Sequence, residues 1–235
     1  LPALKKAGVK VVEKHEDLTE DQQAFVDQYF EEAVYPVLTP MAMDSARPFP
    51  LIRNKTLNIG ALIAKKGKKD KEELEFATVQ VPSVLPRIIE IPGDKKYKTT
   101  VVLLEEIIER NIGKLFLSNT VVCTCPYRII RNADLTIDED EAADLLTEIE
   151  KQLKKRQWGE VIRLDVEEKM DPRLLKILKM EFDMKEEDIH YINGPLDLTF
   201  LMKMYKLEAF DDLKVPPYTP APVKEMMTGE EIFTQ

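Results

Sequence analysis

Apolar residues recur at Phe25, Tyr29, Phe30 and Ala33 within "TEDQQAFVDQYFEEAVY", a spacing that places them along one side of a helix. Thr19 stands at the N-cap position, and Glu20 and Asp21 follow in the first turn, where the helix dipole favours acids. Pro36 closes this pattern. Two β-like runs, "LNIGALIA" (57–64) and "EFATVQV" (75–81), flank the charged turn "KKGKKDKEEL" and predict a hairpin. "KTTVVLL" predicts a strand that leads into a helix over "EEIIERNIGKLF". Strand and helix then alternate: "NTVVCTCPYRIIR", "DEDEAADLLTEIEKQLKKRQW", "EVIRLDVE", "DPRLLKILKMEF", "EDIHYI" and a last helix over "LDLTFLMKMYKL".

Two helix starts are strongly marked. Asp138 with Glu141 three residues on makes an aspartate capping box. Leu145, Leu146, Ile149 and Leu153 continue it as an apolar stripe, and Gly159 stops it after Trp158. Asp171 with Pro172 behind it is an N-cap with proline at N1. The expected fold class is therefore α+β (mixed α/β). A mixed β-sheet carries a hairpin in its N-terminal part and strand–helix alternation in its second half, with helices packed on the sheet.

The stretch "VYPVLTPMAMDSARPFPLIRN" fits neither period. Pro36, Pro40, Pro48 and Pro50 exclude a regular helix or a central strand, yet the apolar residues around them are too many for a disordered linker. Residues 36–53 are expected to form an ordered strap, with Pro36, Pro40, Phe49, Pro50 and Ile52 supplying apolar surface to the core or to a subunit contact. The competing reading is that the strap wraps its own domain. A second proline-rich stretch, "KVPPYTPAPVKEMMTG", reads as an extended connector.

Composition narrows the class. A chain of 235 residues is one large domain or two small ones, with 44% hydrophobic and 33% charged residues. The net charge of −9 argues against a general nucleic-acid binder. No run of 18 apolar residues and no signal-peptide pattern occurs, and two cysteines make no disulfide framework, so a reducing cytoplasm is expected. The chain begins at Leu1 and stops at "EEIFTQ", as would a domain cut from a longer protein.

Candidate chemistry is sparse. Asp134, Asp138, Glu139, Asp140 and Glu141 lack the glycine and the final glutamate of a calcium loop, and helix capping explains them. Cys123 and Cys125 share one strand face without histidines at ligand spacing, so they read as small buried residues. His15 and His190 have no signature of a catalytic base. "IAKKGKKDK" lacks the second glycine and the Lys-Ser/Thr pair of a phosphate loop, and reads as a solvated hairpin tip. Lys65, Lys66 and Lys68 there, with Arg128, Arg131 and Arg163, are the nominations for polyanion contact. The arginines are read first as partners of a carboxylate such as Asp165 or Asp134. No nucleophile, base and oxyanion site assemble, so no catalytic residue and no metal ligand is assigned.

Three long stretches, "YFEEAVYPVLTPMAMDSARPFPLIRNKTLNI", "RIIRNADLTIDEDEAADLLTEIEKQLKKRQWGEVIRLDVE" and "INGPLDLTFLMKMYKL", resemble the middle, or head, domain of the bacterial polyphosphate kinase family. The resemblance implies a parent enzyme that reversibly transfers the terminal phosphate of ATP to polyphosphate through a phosphohistidine, with magnesium. It places that chemistry in C-terminal domains, and gives the middle domain a part in dimerisation and in shaping the substrate tunnel. Residues 1–18 then read as a remnant of the preceding domain or linker, 19–213 as the middle domain, and 214–235 as the connector onward. The implied partners are a second copy of the chain (a homodimer or higher oligomer), the flanking N- and C-terminal domains and, in the full enzyme, polyphosphate. No nucleic acid and no transmembrane segment is expected, and this part alone is expected to be inactive and to hold no cofactor. The implied location is cytoplasmic, with peripheral membrane association open to the full enzyme. Ile130 departs from the family pattern, which would place a threonine before Arg131. The alternative is an independent α/β module that binds nucleotide or polyanion by itself.

Overall fold

The computed structural model describes residues 2–12, 15–43, 47–65, 74–93, 96–132, 159–207 and 210–221. The helix expected after Ile137, the acidic cluster at its start and the hairpin tip with Lys66 and Lys68 lie outside the described residues. The chain divides into a large unit, Leu1–Phe200, and a small one, Leu201–Gln235.

Helix α1 (Pro2–Lys6) leads into strand β1 (Val9–Val12). Helix α2 (Glu20–Tyr29) has Thr19 as its N-cap, as expected, and the structure adds a capping box with Gln22 as the reciprocal partner. The Gln22 N–H donates to Thr19 Oγ1, and the Thr19 N–H donates to Gln22 Oε1. Pro36 does not end a continuous α-helix. The helix widens into a π turn over Phe30–Val34 and tightens to a 3₁₀ turn over Tyr35–Val37, so Pro36 sits in the tightened turn. Phe30 and Val34 are fully buried by this change of pitch.

The expected hairpin is β3 (Leu57–Lys65) and β4 (Leu74–Gln80), antiparallel with Ala61 opposite Ala77. Strand β2 (Pro40–Ala42) adds to the outer edge of β4, and β7 (Asn119–Arg131) adds to the other side of β3. Strand β8 (Val161–Glu167) pairs antiparallel with β7, and β9 (Ile189–Ile192) pairs parallel with β8. The six-stranded order is β2-β4-β3-β7-β8-β9. Proline is tolerated at two places for a physical reason. Pro40 opens an edge strand, and Pro126 lies just beyond the β8 ladder, whose pairs begin at Tyr127. Register shifts leave Val122 and Ile162 as extra residues, both exposed.

A second sheet was not anticipated by periodicity. It has the order β1-β6-β5, from β5 (Ile88–Ile91) and β6 (Thr99–Leu103), with β1 parallel to β6. Helix α3 (Leu104–Asn111) follows β6 directly. This sheet, α2 and α3 share one core with Ile59, Ala61, Ile63, Ala77 and Val79 of the large sheet. The opposite face of the large sheet forms a second core under helix α4 (Pro172–Glu181), where Leu174 and Leu178 meet Leu62, Phe76, Tyr127 and Ile129. Asp171 caps α4 as expected, accepting from the Arg173 N–H at 2.8 Å. Strand β3, between the two cores, is buried on both faces along most of its length.

The last expected helix is shorter than its pattern, reduced to α5 (Phe200–Met204). In the small unit a 3₁₀ turn covers Asp211–Leu213, and residues 215–221 are exposed and carry neither helix nor strand. Among the described residues no helix is long and apolar enough to cross a membrane.

Candidate functional site

The antiparallel register of β7 and β8 sets Arg128 opposite Asp165, and Arg163 reaches the same carboxylate from its own strand two residues away. Arg163 Nε lies 2.6 Å from Asp165 Oδ1, and Arg128 Nη1 lies 3.5 Å from Oδ2. Asp165 is 1% exposed. A carboxylate so buried needs such partners, and of the two carboxylates the sequence offered, Asp165 is the one that Arg128 and Arg163 meet. Two guanidiniums face this one carboxylate, and Arg128 also acts on the Asp197 carboxylate.

Arg131 does something else. Its Nε and Nη2 donate to the Ile52 carbonyl at 3.1 and 3.0 Å, and Nη1 donates to the Gly159 carbonyl at 2.9 Å. Burial pulls its pKa below the usual guanidinium range. Arg131 therefore pins the strap to the end of the β7–β8 pair. Gly159 belongs to this junction, because a Cβ there would collide with the Asn132 carbonyl oxygen. Lys65 ends β3 with its ammonium 2.8 Å from Glu75 across the hairpin. The structure thus brings Arg128, Arg163 and Asp165 together, gives Arg131 a clamping place, and leaves Lys65 at the hairpin.

The strap divides its residues between two surfaces. Phe49 stacks on Phe76 and meets Phe182 edge-on, with centroids 5.0 and 5.2 Å away, and Ile52 is fully buried in the second core. Pro36 and Pro40 are exposed, and so are Tyr35, Val37 and Leu51.

Sequence reading missed a buried ionic cluster. Arg87 grips Glu105 with Nε at 3.0 Å and Nη2 at 2.6 Å, and its Nη1 reaches the Asp197 carbonyl at 2.6 Å and carboxylate at 3.1 Å. The Arg87 guanidinium also lies over the Phe200 ring. Glu105 is 3% exposed in the first turn of α3, where the dipole favours an acid. The available signal was an arginine set among apolar residues in "VLPRIIEI", but nothing nearby in sequence named its partners.

A cleft of two adjoining cavities, about 410 and 330 Å³, runs beside α3; both are lined by Val12, Glu106 and Glu109. The first also takes in His15 and Thr124, whose hydroxyl donates to Glu109 at 2.7 Å. The second takes in Glu167 and Glu168. Burial pushes the Glu167 carboxyl up to about 7, with Glu109 and Glu105 adding repulsion. Burial also raises Glu109 against the pull of its Thr124 bond. His15 is shifted down by burial and by Arg110. Among the described residues its buried Nε2 has no hydrogen-bond partner, and it lies 3.8 Å from Asp27. Burial raises both thiols; Cys125 is buried as expected, whereas Cys123 is only half-buried. Among the described residues no group of three or more His, Cys, Asp and Glu is placed to hold a metal ion.

Residues 21–204 match the family described as "Polyphosphate kinase middle domain". The polyphosphate kinase of Bacillus cereus is 42% identical over 237 residues, which covers 99% of this chain and 34% of that protein. That of Lactiplantibacillus plantarum is 45% identical over 219 residues, 93% of this chain and 30% of that protein. The crystal structure of polyphosphate kinase from Porphyromonas gingivalis superposes with a TM-score of 0.68 over 95% of this chain and 31% of that one, at 20% identity, and supports the fold. The chain spans about a third of the length of these relatives. By the extent of these matches, this chain belongs to the polyphosphate kinase middle-domain family.

Proposed function

We propose that the chain is a non-catalytic assembly module of a polyphosphate kinase, an enzyme that transfers the terminal phosphate of ATP reversibly to polyphosphate. In this reading ATP, magnesium and the phosphohistidine act in other parts of the enzyme, and the middle domain contributes dimerisation and part of the tunnel wall. The observation that carries it is the two-sided strap. Phe49 and Ile52 pack into their own core, Arg131 holds the Ile52 carbonyl, and Val37 and Leu51 face solvent on the described parts of the strap, 36–43 and 47–53. A rigid segment that presents apolar side chains outward loses little entropy when it is covered by a second copy.

Sedimentation equilibrium across a concentration series tests this. The expected result is a dimer that Leu51→Asp converts to a monomer with an unchanged circular-dichroism spectrum and a melting temperature that no longer depends on concentration. A monomer at every concentration would overturn the assembly role. Arg128, Arg163 and the Lys65 hairpin remain proposed polyanion contacts. A phosphate at Arg163 would have to compete with Asp165 for the same guanidinium.

A further inference from the structure

Among the described residues, three groups on the walls of the cleft beside α3 lack the partners their chemistry calls for. Glu109 stands near the end of α3 and Glu167 ends β8, and both line the second cavity. Neither carboxylate forms an ion pair: Glu109 accepts from the Thr124 hydroxyl at 2.7 Å, and Glu167 has the Cys125 thiol at 4.0 Å. The third group is His15, whose side chain is 9% exposed and lines the first cavity. Its Nε2 is buried and has no hydrogen-bond partner among the described residues. Glu109 and Val12 line both cavities, so the two carboxylates and the imidazole stand along one path.

The charges that face Glu167 come from several elements. Glu105 and Glu109 of α3 repel its ionised form, the Cys125 thiol meets it from β7, and Glu105 is itself gripped by Arg87. Glu168 and Lys169 follow it in the chain, both exposed, and Glu168 accepts from Asn193. On the first cavity's wall Arg110 lies 3.8 Å from Asp27, and Glu106 already has an interaction partner. Burial and Arg110 hold His15 below its usual pKa, which leaves Nε2 able to present a lone pair.

Two carboxylates and a neutral imidazole call for N–H donors that carry positive charge. A metal ion does not fit, because no group of three or more His, Cys, Asp and Glu is placed to hold one among the described residues. A quaternary ammonium has no N–H to give and is held by aromatic walls, whereas no described Phe, Tyr or Trp lines either cavity. A primary ammonium brings three donors, and its alkyl stem can lie along Val12, Val102 and Ile107.

We propose that this cleft binds a linear aliphatic diamine in its diammonium form, with one ammonium between Glu109 and Glu167, the other at His15 Nε2, and the alkyl stem along Val12. Binding draws the proton from Glu167, whose carboxyl is pushed up to about 7 by burial and by its two glutamate neighbours. The diamine is therefore held more tightly as pH rises through about 7.

The test is calorimetric titration of the 235-residue chain with 1,5-diaminopentane at fixed ionic strength. Affinity is expected to be about tenfold higher at pH 8 than at pH 6. Binding at pH 7 is expected to release about half a proton, read from the heats in two buffers of different ionisation enthalpy. Glu109→Gln/Glu167→Gln is expected to bind at least about tenfold more weakly at pH 8, and His15→Leu about threefold more weakly. Should the double variant melt early, Glu167→Gln alone gives the same comparison, with the pH dependence cut to under about threefold. No binding by about 10 mM diamine overturns the proposal. So does an equal loss in Glu187→Gln, an exposed acid outside the cleft, which would make the effect one of net charge. Equal binding of the bis-trimethylammonium analogue, which has no N–H, would overturn the assignment of the ligand.

Discussion

Arg131 and Ile52 are joined by a fork: two N–H groups of one guanidinium donate to a single strap carbonyl, at 3.1 and 3.0 Å. Arg131→Met would leave that carbonyl and the Gly159 carbonyl without these donors, at an expected cost of about 1–3 kcal/mol. Arg131→Lys is expected to recover only part, because a single ammonium cannot serve both carbonyls in the same plane. Urea unfolding gives the cost. Faster amide exchange over residues 50–54 would place it in the strap, and unchanged exchange there would show that Arg131 does not clamp it.

The Tyr127 hydroxyl reaches over Gly60 to Thr78, 2.9 Å away, linking β7 to β4 across the intervening β3. Both residues are fully buried, and burial raises the Tyr127 phenol. Tyr127→Phe or Thr78→Val alone strands one hydroxyl and is expected to cost about 1–3 kcal/mol. The double variant is expected to cost less than the sum of the two, because no orphan remains. Additive losses in a thermal-melt cycle would show the bond to be energetically idle.

Glu167 gives the protein a pH dependence. Its folded pKa of about 7 lies above that of an unfolded glutamate, so the folded state holds the proton more tightly. The resulting stability is fully present below about pH 4.3, and is lost as pH rises through about 7. Its partial exposure lets solvent screen the effect, which leaves about 1–2 kcal/mol. Glu167→Gln is therefore expected to stabilise the protein at pH 8 and to change little at pH 5, read as melting temperature against pH. Equal shifts at both values would remove Glu167 as the cause.

Phe49 packs on Phe76 and Phe182 within its own chain. Phe49→Ala is expected to cost about 2–3 kcal/mol, below the usual loss for a fully buried ring because Phe49 is half-buried. Leu51→Asp, on the outward side, is expected to cost under about 0.5 kcal/mol. If Phe49→Ala abolished association and left the melt untouched, the ring would belong to the interface instead of the core.

Much of the local structure was legible in the chain because it depends on short-range rules. The Thr19 and Asp171 caps, the β3–β4 hairpin and the full length of β7 followed from capping chemistry and period. The "VYPVLTP" stretch could be read as ordered, since its prolines and apolar residues conflict with both helix and linker. Strands β1 and β5 were not legible. Four-residue runs carry too little period, and they become strands only because β6 lies between them. The partners of Arg87 were hidden for the same reason: Glu105 and Asp197 reach it through the packing of α3 and the segment before α5. The sequence alone determined the local elements and the family resemblance, and offered Asp165 or Asp134 as carboxylate partners for the arginines. Only the tertiary structure decided that Arg131 clamps the strap and that His15, Glu109 and Glu167 share a cleft. Each joins residues distant in the chain, and such contacts are set by register and layer packing, which no local pattern encodes.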